Sequence, residues 1–402
     1  MESRNFEACK NNWYFPAGDT IMYTMKRKKR NRTNTGLLIL MGAVLFALLV
    51  LLFVLIRFVL WGGQPDETGG ERQDAEAGEI EIRTPEPTPI DIYAYFDWQE
   101  TTKIRVCDHR TGEIVSMDLE EYVVGVVSAE MPAWYEFEAL KSQAVATRTY
   151  TLYRMQRGGC QTYPDADVCT NSKCCQAFST HERMQNTWGA DYANNYNRVA
   201  TAVMETAGEV VTYNGKLCDA LYHACSGGQT EDSEHVYANA LPYLRGVDSP
   251  YEDPMRTEDA ELGMDALVEL ITAKYPESGI TDENAKDGIK IAAAYDSGRV
   301  ETLQLGNTKI TGKQARNLFG LRSTMFTITW SEDGIVFHTK GFGHGVGLSQ
   351  NGANGMAKHG SDYREILLHY YTGVEIAPYV ADGAAKTTPD AQNTDVSFVP
   401  EG

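Results

Sequence analysis

The chain has 402 residues, of which 43% are hydrophobic and 23% are charged, and its formal net charge is −19. This composition excludes a chain that is mainly disordered or collagen-like, because it holds enough aliphatic and aromatic residues for a core. The acidity argues against nucleic acid as a partner, since phosphate contacts need a basic surface. The length is sufficient for one large domain or two modest ones.

The first predicted element is a single membrane-spanning helix. Residues 37–56 form an uncharged apolar run of the length that a bilayer core requires, about 20 residues. The basic cluster Lys26-Arg-Lys-Lys-Arg30 precedes this run, which predicts a cytoplasmic N-terminus and an outside location for the rest. A cleaved signal peptide is the alternative, but its apolar core is shorter and ends at small residues, whereas Arg57 and Trp61 follow here.

The remaining chain is predicted to be a tether, one domain and a tail. The predicted segments are, in order, a cytoplasmic N-terminus at 1–36, a transmembrane anchor at 37–61, an acidic Pro/Gly tether at 62–91, an extracytoplasmic domain at 92–380 and a loose tail at 381–402. Residues 62–402 hold 27 Lys+Arg against 52 Asp+Glu, so the acidity belongs to the part predicted to lie outside. We expect Met25 to be the start, because the residues before it show neither a targeting nor a fold pattern.

The predicted extracytoplasmic domain mixes helices and strands. Strands are predicted over 103–107, 210–213, 299–305 and 325–330. Helices are predicted over 119–130, 136–154, 195–207, 264–275, 312–318 and 362–371. Because the two types do not alternate regularly, the pattern favours an α+β fold.

The helix predicted over 119–130 carries the first candidate site residue. Asp118 and Glu121 have the spacing of a capping box at its start. Glu130 falls on the apolar face one turn beyond Val126, and Met131-Pro132 ends the helix. Desolvation there would raise the pKa of Glu130 and suit it to donate a proton near neutral pH. The alternative is a Glu that only occupies the last exposed turn.

The next predicted helix places two cations on one face. Lys141 and Arg148 are seven residues apart and could hold anionic or hydroxyl-rich substrate groups. A solvated helix face is the alternative interpretation of this spacing.

Two histidines lie in the second half of the domain. His344 lies among glycines that allow close backbone approach to a ligand, so with Ser349 and Gln350 it could line a cleft. A hydrogen-bonded His in a glycine-rich turn explains the pattern equally well. His223 and Cys225 could form a metal pair, although core packing is the favoured reading.

A cluster of cysteines follows the candidate helices. Cys169, Cys174 and Cys175, with a fourth ligand not identified, are compatible with a structural zinc site. Disulfides are also compatible, because an extracytoplasmic location permits them, and free thiols remain open. In each case the expected role is structural, in the loop after the two helices.

Six segments, taken in chain order, closely resemble the signature of the stage II sporulation protein D family. They are Glu120-Glu-Tyr-Val-Val-Gly-Val-Val-Ser-Ala-Glu-Met-Pro132, Ala139-Leu-Lys-Ser-Gln-Ala-Val-Ala-Thr-Arg-Thr-Tyr150, Tyr222-His-Ala-Cys-Ser-Gly-Gly-Gln-Thr230, Leu241-Pro-Tyr-Leu244, Gly341-Phe-Gly-His-Gly-Val-Gly-Leu-Ser-Gln-Asn-Gly-Ala353 and His369-Tyr-Tyr-Thr-Gly-Val374. The resemblance covers nearly the whole predicted extracytoplasmic domain.

The resemblance implies a membrane-anchored lytic transglycosylase that cuts peptidoglycan glycan strands during forespore engulfment. The family's catalytic acid falls on Glu130 and its essential Arg on Arg148, while Lys141, Thr230 and Tyr243 match positions that line the substrate cleft. It also implies an engulfment amidase and a membrane scaffold protein as partners.

The resemblance also bears on the metal. Some clostridial members bind zinc at the position of the cysteine cluster through Cys and His, and here Cys174 stands where a His is expected and Tyr163 where another could lie.

The inferred chemistry needs one carboxyl group. A hydrolytic glycosidase uses two carboxyl groups, about 5–5.5 Å or 6.5–9.5 Å apart. Glu130 is the single candidate, because Glu120, Glu121 and Glu136 are better explained as helix-start residues. A non-catalytic amidase enhancer is the alternative function. A zinc peptidase is disfavoured, since no His-Glu-x-x-His pattern is present.

Overall fold

The computed structural model describes residues 88–94 and 102–379. The predicted anchor at 37–61 and tail at 381–402 lie outside these residues, as does most of the tether. None of the helices within the described ranges is both long and apolar enough to cross a membrane. The last tether residues lie against a helix of the domain, where Ile90 N–H donates to Asn197 Oδ1 at 2.6 Å.

The described residues form a mixture of helices and strands. The α-helices are α1 (Leu119–Glu130), α2 (Phe137–Gln156), α3 (His181–Trp188), α4 (Tyr192–Glu205), α5 (Ser233–Val236), α6 (Met264–Lys274), α7 (Ala285–Gly288), α8 (Gly312–Leu318), α9 (Gln350–Lys358) and α10 (Tyr363–Tyr370). The strands are β1 (Lys103–Cys107), β2 (Ile114–Asp118), β3 (Val168–Cys169), β4 (Glu209–Tyr213), β5 (Lys216–Leu217), β6 (Tyr222–His223), β7 (Thr257–Gly263), β8 (Ile289–Ala294), β9 (Val300–Leu305), β10 (Thr308–Thr311), β11 (Phe326–Trp330), β12 (Gly334–Lys340), β13 (Leu348–Ser349) and β14 (Glu375–Pro378). The predicted α+β class is confirmed.

The start of α1 differs from the predicted capping box. Asp118 is the N-cap residue, but its side chain makes no capping hydrogen bond. The antiparallel β1–β2 pairing places Lys103 directly opposite Asp118, and Lys103 Nζ lies 2.5 Å from the carboxylate. The cross-strand ion pair therefore takes the carboxylate that the cap would have used. Capping boxes do occur at Thr311 before α8 and at Asp362 before α10.

The larger hydrophobic core surrounds α2. Helix α2 packs against α1, α4, α9, α10 and β4. Its fully buried Ala139, Ala144 and Ala146 leave room for these neighbours to approach closely. On α1, the fully buried Val123 and Val126 face the same core. Three small sheets border it, with strand orders β2-β1-β3, β14-β4-β5 and β13-β6.

Residues 257–340 build a second hydrophobic core of their own. Sheets β11-β12-β7 and β10-β9-β8 enclose it together with α6 and α8. The first strand of this segment, β7, pairs with its last strand, β12, so that Thr257 lies opposite Lys340. Gly341 N–H then donates to the Arg256 carbonyl at 2.8 Å. The chain therefore leaves the larger core and returns to it at one place.

Candidate active site

Glu130 is the last residue of α1, and Met131 after it has extended backbone with φ −121° and ψ 142°. Glu130 Oε1 accepts a hydrogen bond from Ala177 N–H at 2.9 Å, and Oε2 accepts one from Gln350 Nε2 at 3.4 Å. Burial raises the pKa of Glu130, and these two hydrogen bonds, which favour the carboxylate, only partly oppose it. The side chain is therefore suited to hold a proton at a higher pH than an ordinary carboxyl group.

The Glu130 side chain lines a cleft of about 690 Å³, which lies between the larger core and the segment 257–340. Its aromatic lining residues are Tyr135, Trp188 and Phe342, and its charged ones besides Glu130 are Arg256, Glu258 and Arg322. Aromatic faces and cations together suit a sugar substrate that carries negative charge. The arrangement places a carboxyl group of raised pKa in the wall of a cleft that is lined by aromatic and charged side chains.

Neighbouring residues fix the position of Gln350, which donates a hydrogen bond to Glu130. Gln350 is the first residue of α9, and its amide also reaches Gln143 Oε1 on α2 at 3.3 Å. Ser349 caps α9, and its hydroxyl donates to Glu252 Oε1 at 2.7 Å. The donor to Glu130 is thus fixed by two helices and one buried carboxylate. Of the predicted substrate residues, Gln350 is the one that the structure brings to Glu130.

Arg148 lies inside the fold and not in the cleft. Its side chain is fully buried, and Nε and Nη2 donate to both oxygens of Glu120 at 2.7 and 2.6 Å. Nη1 donates to the Glu209 carbonyl at 3.0 Å. The sequence predicted a solvated or a substrate-facing position for Arg148, and the structure shows neither. Glu120, which was predicted to be a helix-start residue, is also the ion-pair partner of Arg148. The pair joins α1, α2 and the start of β4.

Lys141 is also engaged away from the cleft. Its Nζ lies 2.6 Å from Glu205 and 3.1 Å from Glu138, and the side chain packs over the Phe137 ring at 4.9 Å. Its cation is neutralised by the neighbouring helix.

Thr230 and Tyr243 are both buried and serve loop contacts. Thr230 Oγ1 accepts a hydrogen bond from Val247 N–H at 2.8 Å. The Tyr243 hydroxyl accepts one from Asp219 N–H at 2.9 Å. Neither side chain lines the cleft that holds Glu130.

His344 is half-buried beside a second histidine rather than beside Glu130. Its ring lies 5.4 Å from that of His223 and 5.7 Å from that of Tyr237. Burial lowers the pKa of His344 to about 4, so its imidazole is neutral at physiological pH. His344 Nδ1 accepts a hydrogen bond from Val346 N–H at 3.1 Å. The two histidines belong to the packing of the glycine-rich turn.

The cysteine cluster has a fourth member. Cys160 joins the predicted Cys169, Cys174 and Cys175, and all four sulfur atoms lie within 4.8 Å of one another. Three of the Sγ–Sγ distances are 3.6, 3.7 and 3.9 Å. A tetrahedral zinc ion with bonds of about 2.3 Å to sulfur requires Sγ–Sγ distances of about 3.8 Å. The four residues can therefore hold a metal ion such as zinc.

The thiols of the cluster also interact with one another. Every cysteine in the described ranges is unbonded to another cysteine. Hydrogen bonds within the cluster lower the pKa of the Cys174 thiol and raise the pKa of the Cys169 thiol, so the neighbours favour a thiolate at Cys174. The fourth ligand was missed because Cys160 follows Gly158-Gly159 in a turn, where its N–H donates to the Ala166 carbonyl at 2.9 Å.

Comparison with known proteins identifies the family. The model of the Stage II sporulation protein family matches residues 107–213. The stage II sporulation protein D of Bacillus amyloliquefaciens is 33% identical over 275 residues, which cover 66% of this chain and 75% of that protein. The chain belongs to the stage II sporulation protein D family. The protein of the same name from Bacillus subtilis is 32% identical over 66% of this chain and 76% of its own length.

A more distant relative is the amidase enhancer of Bacillus subtilis, which is 27% identical over 63% of this chain and 40% of that protein. The region matched by the family model contains α1, α2 and the cysteine cluster. It ends before the cleft residues that come from later in the chain.

Three charged residues that line the cleft were not predicted from the sequence. Arg256, Glu258 and Arg322 come from the segment 257–340 and its edge, far in sequence from Glu130. No periodicity connects them to α1.

Proposed function

We propose that this member of the stage II sporulation protein D family is a lytic transglycosylase that cuts the glycan strands of peptidoglycan during forespore engulfment. The observation that supports this most is Glu130, a carboxyl group of raised pKa in the wall of an aromatic and cationic cleft. General acid catalysis needs such a group within reach of the bond that breaks.

The reaction uses Glu130 twice. The protonated carboxyl gives its proton to the oxygen between N-acetylmuramic acid and N-acetylglucosamine as that glycosidic bond breaks. The resulting carboxylate then takes the proton of the muramoyl C6 hydroxyl while that oxygen bonds to C1. The products are a 1,6-anhydromuramoyl end and a free N-acetylglucosamine 4-hydroxyl, and Glu130 is protonated again. Ala177 N–H and the Gln350 amide hold the carboxylate between the two steps.

Glu258 is the other carboxyl group in the cleft lining, and it favours transglycosylation over hydrolysis. Arg322 Nε donates to Glu258 Oε2 at 2.7 Å. The guanidinium therefore occupies one of the Glu258 oxygens that would otherwise position an attacking water. Glu130 therefore acts alone, as a lytic transglycosylase allows and a two-carboxylate hydrolase does not.

The membrane anchor and the partners belong to the same proposal. The apolar run at 37–56 would hold the enzyme in the septal and then engulfing membrane, with the domain facing the wall. The engulfment amidase would strip peptides from the glycan, and a membrane scaffold protein would keep both enzymes together. The zinc ion would be held by Cys160, Cys169, Cys174 and Cys175 and would supply no chemistry to the reaction.

The test is product analysis with the full-length chain. Peptide-free glycan strands are expected to yield ends with the anhydro mass by mass spectrometry. Glu130→Gln should lower the rate at least about a hundredfold, because a positioned general acid contributes about that much or more. Glu121→Gln on the same helix is the matched control and should keep the wild-type rate. Reducing ends without the anhydro mass, or full activity in Glu130→Gln, would overturn the proposal.

The second candidate is a non-catalytic enhancer of an N-acetylmuramoyl-L-alanine amidase, favoured by the 27% identity to the amidase enhancer. It predicts that wild type and Glu130→Gln stimulate such an amidase equally and that neither changes glycan length.

A further inference from the structure

We propose that Arg256 forms a carboxylate-binding subsite in the cleft, where it recognises the free lactyl carboxylate of a muramoyl residue from which the peptide has been removed. This inference rests on the proposed function, since it assigns the substrate feature that the same cleft selects. Arg256, rather than Arg148 or Lys141, would then recognise the negative charge of the substrate.

The candidate cations are not equally available. Arg148 and Lys141 are held by carboxylates elsewhere in the fold. Arg322 is held by Glu258, and its guanidinium lies 4.9 Å from the centre of the Phe342 ring. Arg256 is exposed, and within the described part of the chain no carboxylate lies at ion-pair distance from it. It is the cation of the cleft lining that is left to bind an anion.

The backbone of Arg256 is fixed relative to Glu130. Its carbonyl accepts a hydrogen bond from Gly341 N–H at 2.8 Å. Two residues earlier, the Pro254 carbonyl accepts one from Asn351 Nδ2 at 2.6 Å. Asn351 directly follows Gln350, the side chain that contacts Glu130. Helix α9 thus contacts both Glu130 and the backbone two residues before Arg256, so it links the acid to the segment that carries the cation.

Tyr135 links the Arg256 guanidinium to Asn351 of α9. Its hydroxyl donates to Asn351 Oδ1 at 2.7 Å. Burial raises the pKa of this hydroxyl, and the nearby Arg256 guanidinium partly opposes that rise. The other acidic group close by, Asp253, is occupied by Lys358 Nζ at 2.5 Å. The Arg256 guanidinium therefore lies next to a polar but uncharged group, the Tyr135 hydroxyl.

The glycan carries a group that one free guanidinium could bind, the lactyl carboxylate. N-acetylglucosamine carries no charge, whereas each muramoyl residue carries a lactyl group on O3. Its carboxyl group is neutral when it forms an amide with a stem peptide and anionic once an amidase has cut that amide. A guanidinium binds a carboxylate through two parallel hydrogen bonds, which an amide cannot reproduce. Arg256 would therefore select strands on which the amidase has already acted.

The experiment measures binding separately from catalysis. The full-length Glu130→Gln variant is titrated calorimetrically with a GlcNAc–MurNAc tetrasaccharide bearing free lactyl carboxylates, and with the same glycan bearing lactyl primary amides. The carboxylate form is expected to bind about tenfold more tightly, as a hydrogen-bonded charge pair allows, and the difference should shrink at high salt. Adding Arg256→Gln should remove the preference, and adding Arg256→Lys should keep part of it.

Arg157→Gln, which removes an exposed guanidinium outside the cleft, is the matched control and should keep the full preference. Circular dichroism should show native Arg256→Gln, because the side chain is exposed. Equal binding of the two glycans, binding of neither, or a preference that survives Arg256→Gln would overturn the inference. If wild type still forms anhydro ends in that case, the subsite is wrong while the proposed function stands. If it forms none, the proposed function fails on its own test.

Discussion

At the scale of single residues, the pKa of Glu130 is set by opposing effects. Burial raises it, whereas hydrogen bonds from Ala177 and Gln350 lower it. In the proposed reaction the acid form of Glu130 donates the proton, so we expect activity below the pKa of Glu130 and its loss as pH rises through that pKa. Because the folded-state pKa is raised, that loss falls at a higher pH than for an ordinary carboxyl group.

Gln350→Leu is expected to extend activity to higher pH. The substitution removes a donor that favours the carboxylate, so the pKa of Glu130 rises further. The basic limb of the kcat/KM profile should therefore move to higher pH. Ser361→Ala, outside the cleft, serves as the control, and a basic limb that stays in place or moves to lower pH would contradict the account.

At the scale of secondary-structure elements, α1 and α2 are joined by a buried ion pair. Arg148 and Glu120 have excellent bidentate geometry, and Arg148 is fully buried. Removing one partner of such a pair leaves an uncompensated charge in the core. The ion pair bears on the site, because α1 carries Glu130 and α2 carries Gln143, which contacts Gln350.

Arg148→Met should therefore act on stability before it acts on substrate binding. We expect a loss of about 3–5 kcal/mol in the free energy of unfolding, measured by urea denaturation. The double variant Glu120→Leu with Arg148→Met should lose less than the single variants combined, since no charge is left unpaired. A stable Arg148→Met variant with a raised KM would show that Arg148 contacts substrate after all.

The loop between α2 and α3 is the second feature at this scale. It brings Cys160 to the three cysteines that follow it, with sulfur spacings that match tetrahedral zinc. A loop with few apolar residues gains its stability from such a ligand.

Purified protein should contain one zinc ion per chain by mass spectrometry, and Cys160→Ala should abolish it. Loss of the ion should lower the unfolding midpoint by several degrees, as should a strong chelator. Cys218→Ala, at a buried cysteine outside the cluster, should keep the zinc. Full zinc content in Cys160→Ala, or zinc-free wild type of unchanged stability, would be inconsistent with the site.

At the scale of the whole molecule, the cleft lies where two hydrophobic cores meet. The segment 257–340 is held to the larger core by Arg299, which is 1% exposed. Arg299 Nη1 and Nη2 donate to the carbonyls of Gln229 and Ser226 at 2.7 and 2.6 Å. This contact links the segment that carries Arg322 to the larger core.

Arg299→Met should loosen that wall. One buried and one half-buried carbonyl would lose their donors, at a cost of about 3 kcal/mol in the free energy of unfolding. Hydrogen exchange in residues 257–340 should accelerate more than exchange in α2. Lys290→Met on the exposed side of β8 is the control and should change neither. Uniform acceleration across the chain would show that the two cores do not open separately.

The amino-acid sequence by itself determined the α+β class, the position of Glu130 and the elements with a clear period, such as α1, α2 and β1, whereas α9, which carries Gln350, was not predicted. These follow from local periods of 3.6 and 2 residues, which act between near neighbours. The tertiary structure alone decided which charges meet. It paired Arg148 with Glu120, neutralised Lys141, and brought Cys160 to the cluster and Arg256 to the cleft. Gln350 contacts Glu130 across 220 residues of chain. Such contacts depend on how the cores close around each other, and no local pattern records that.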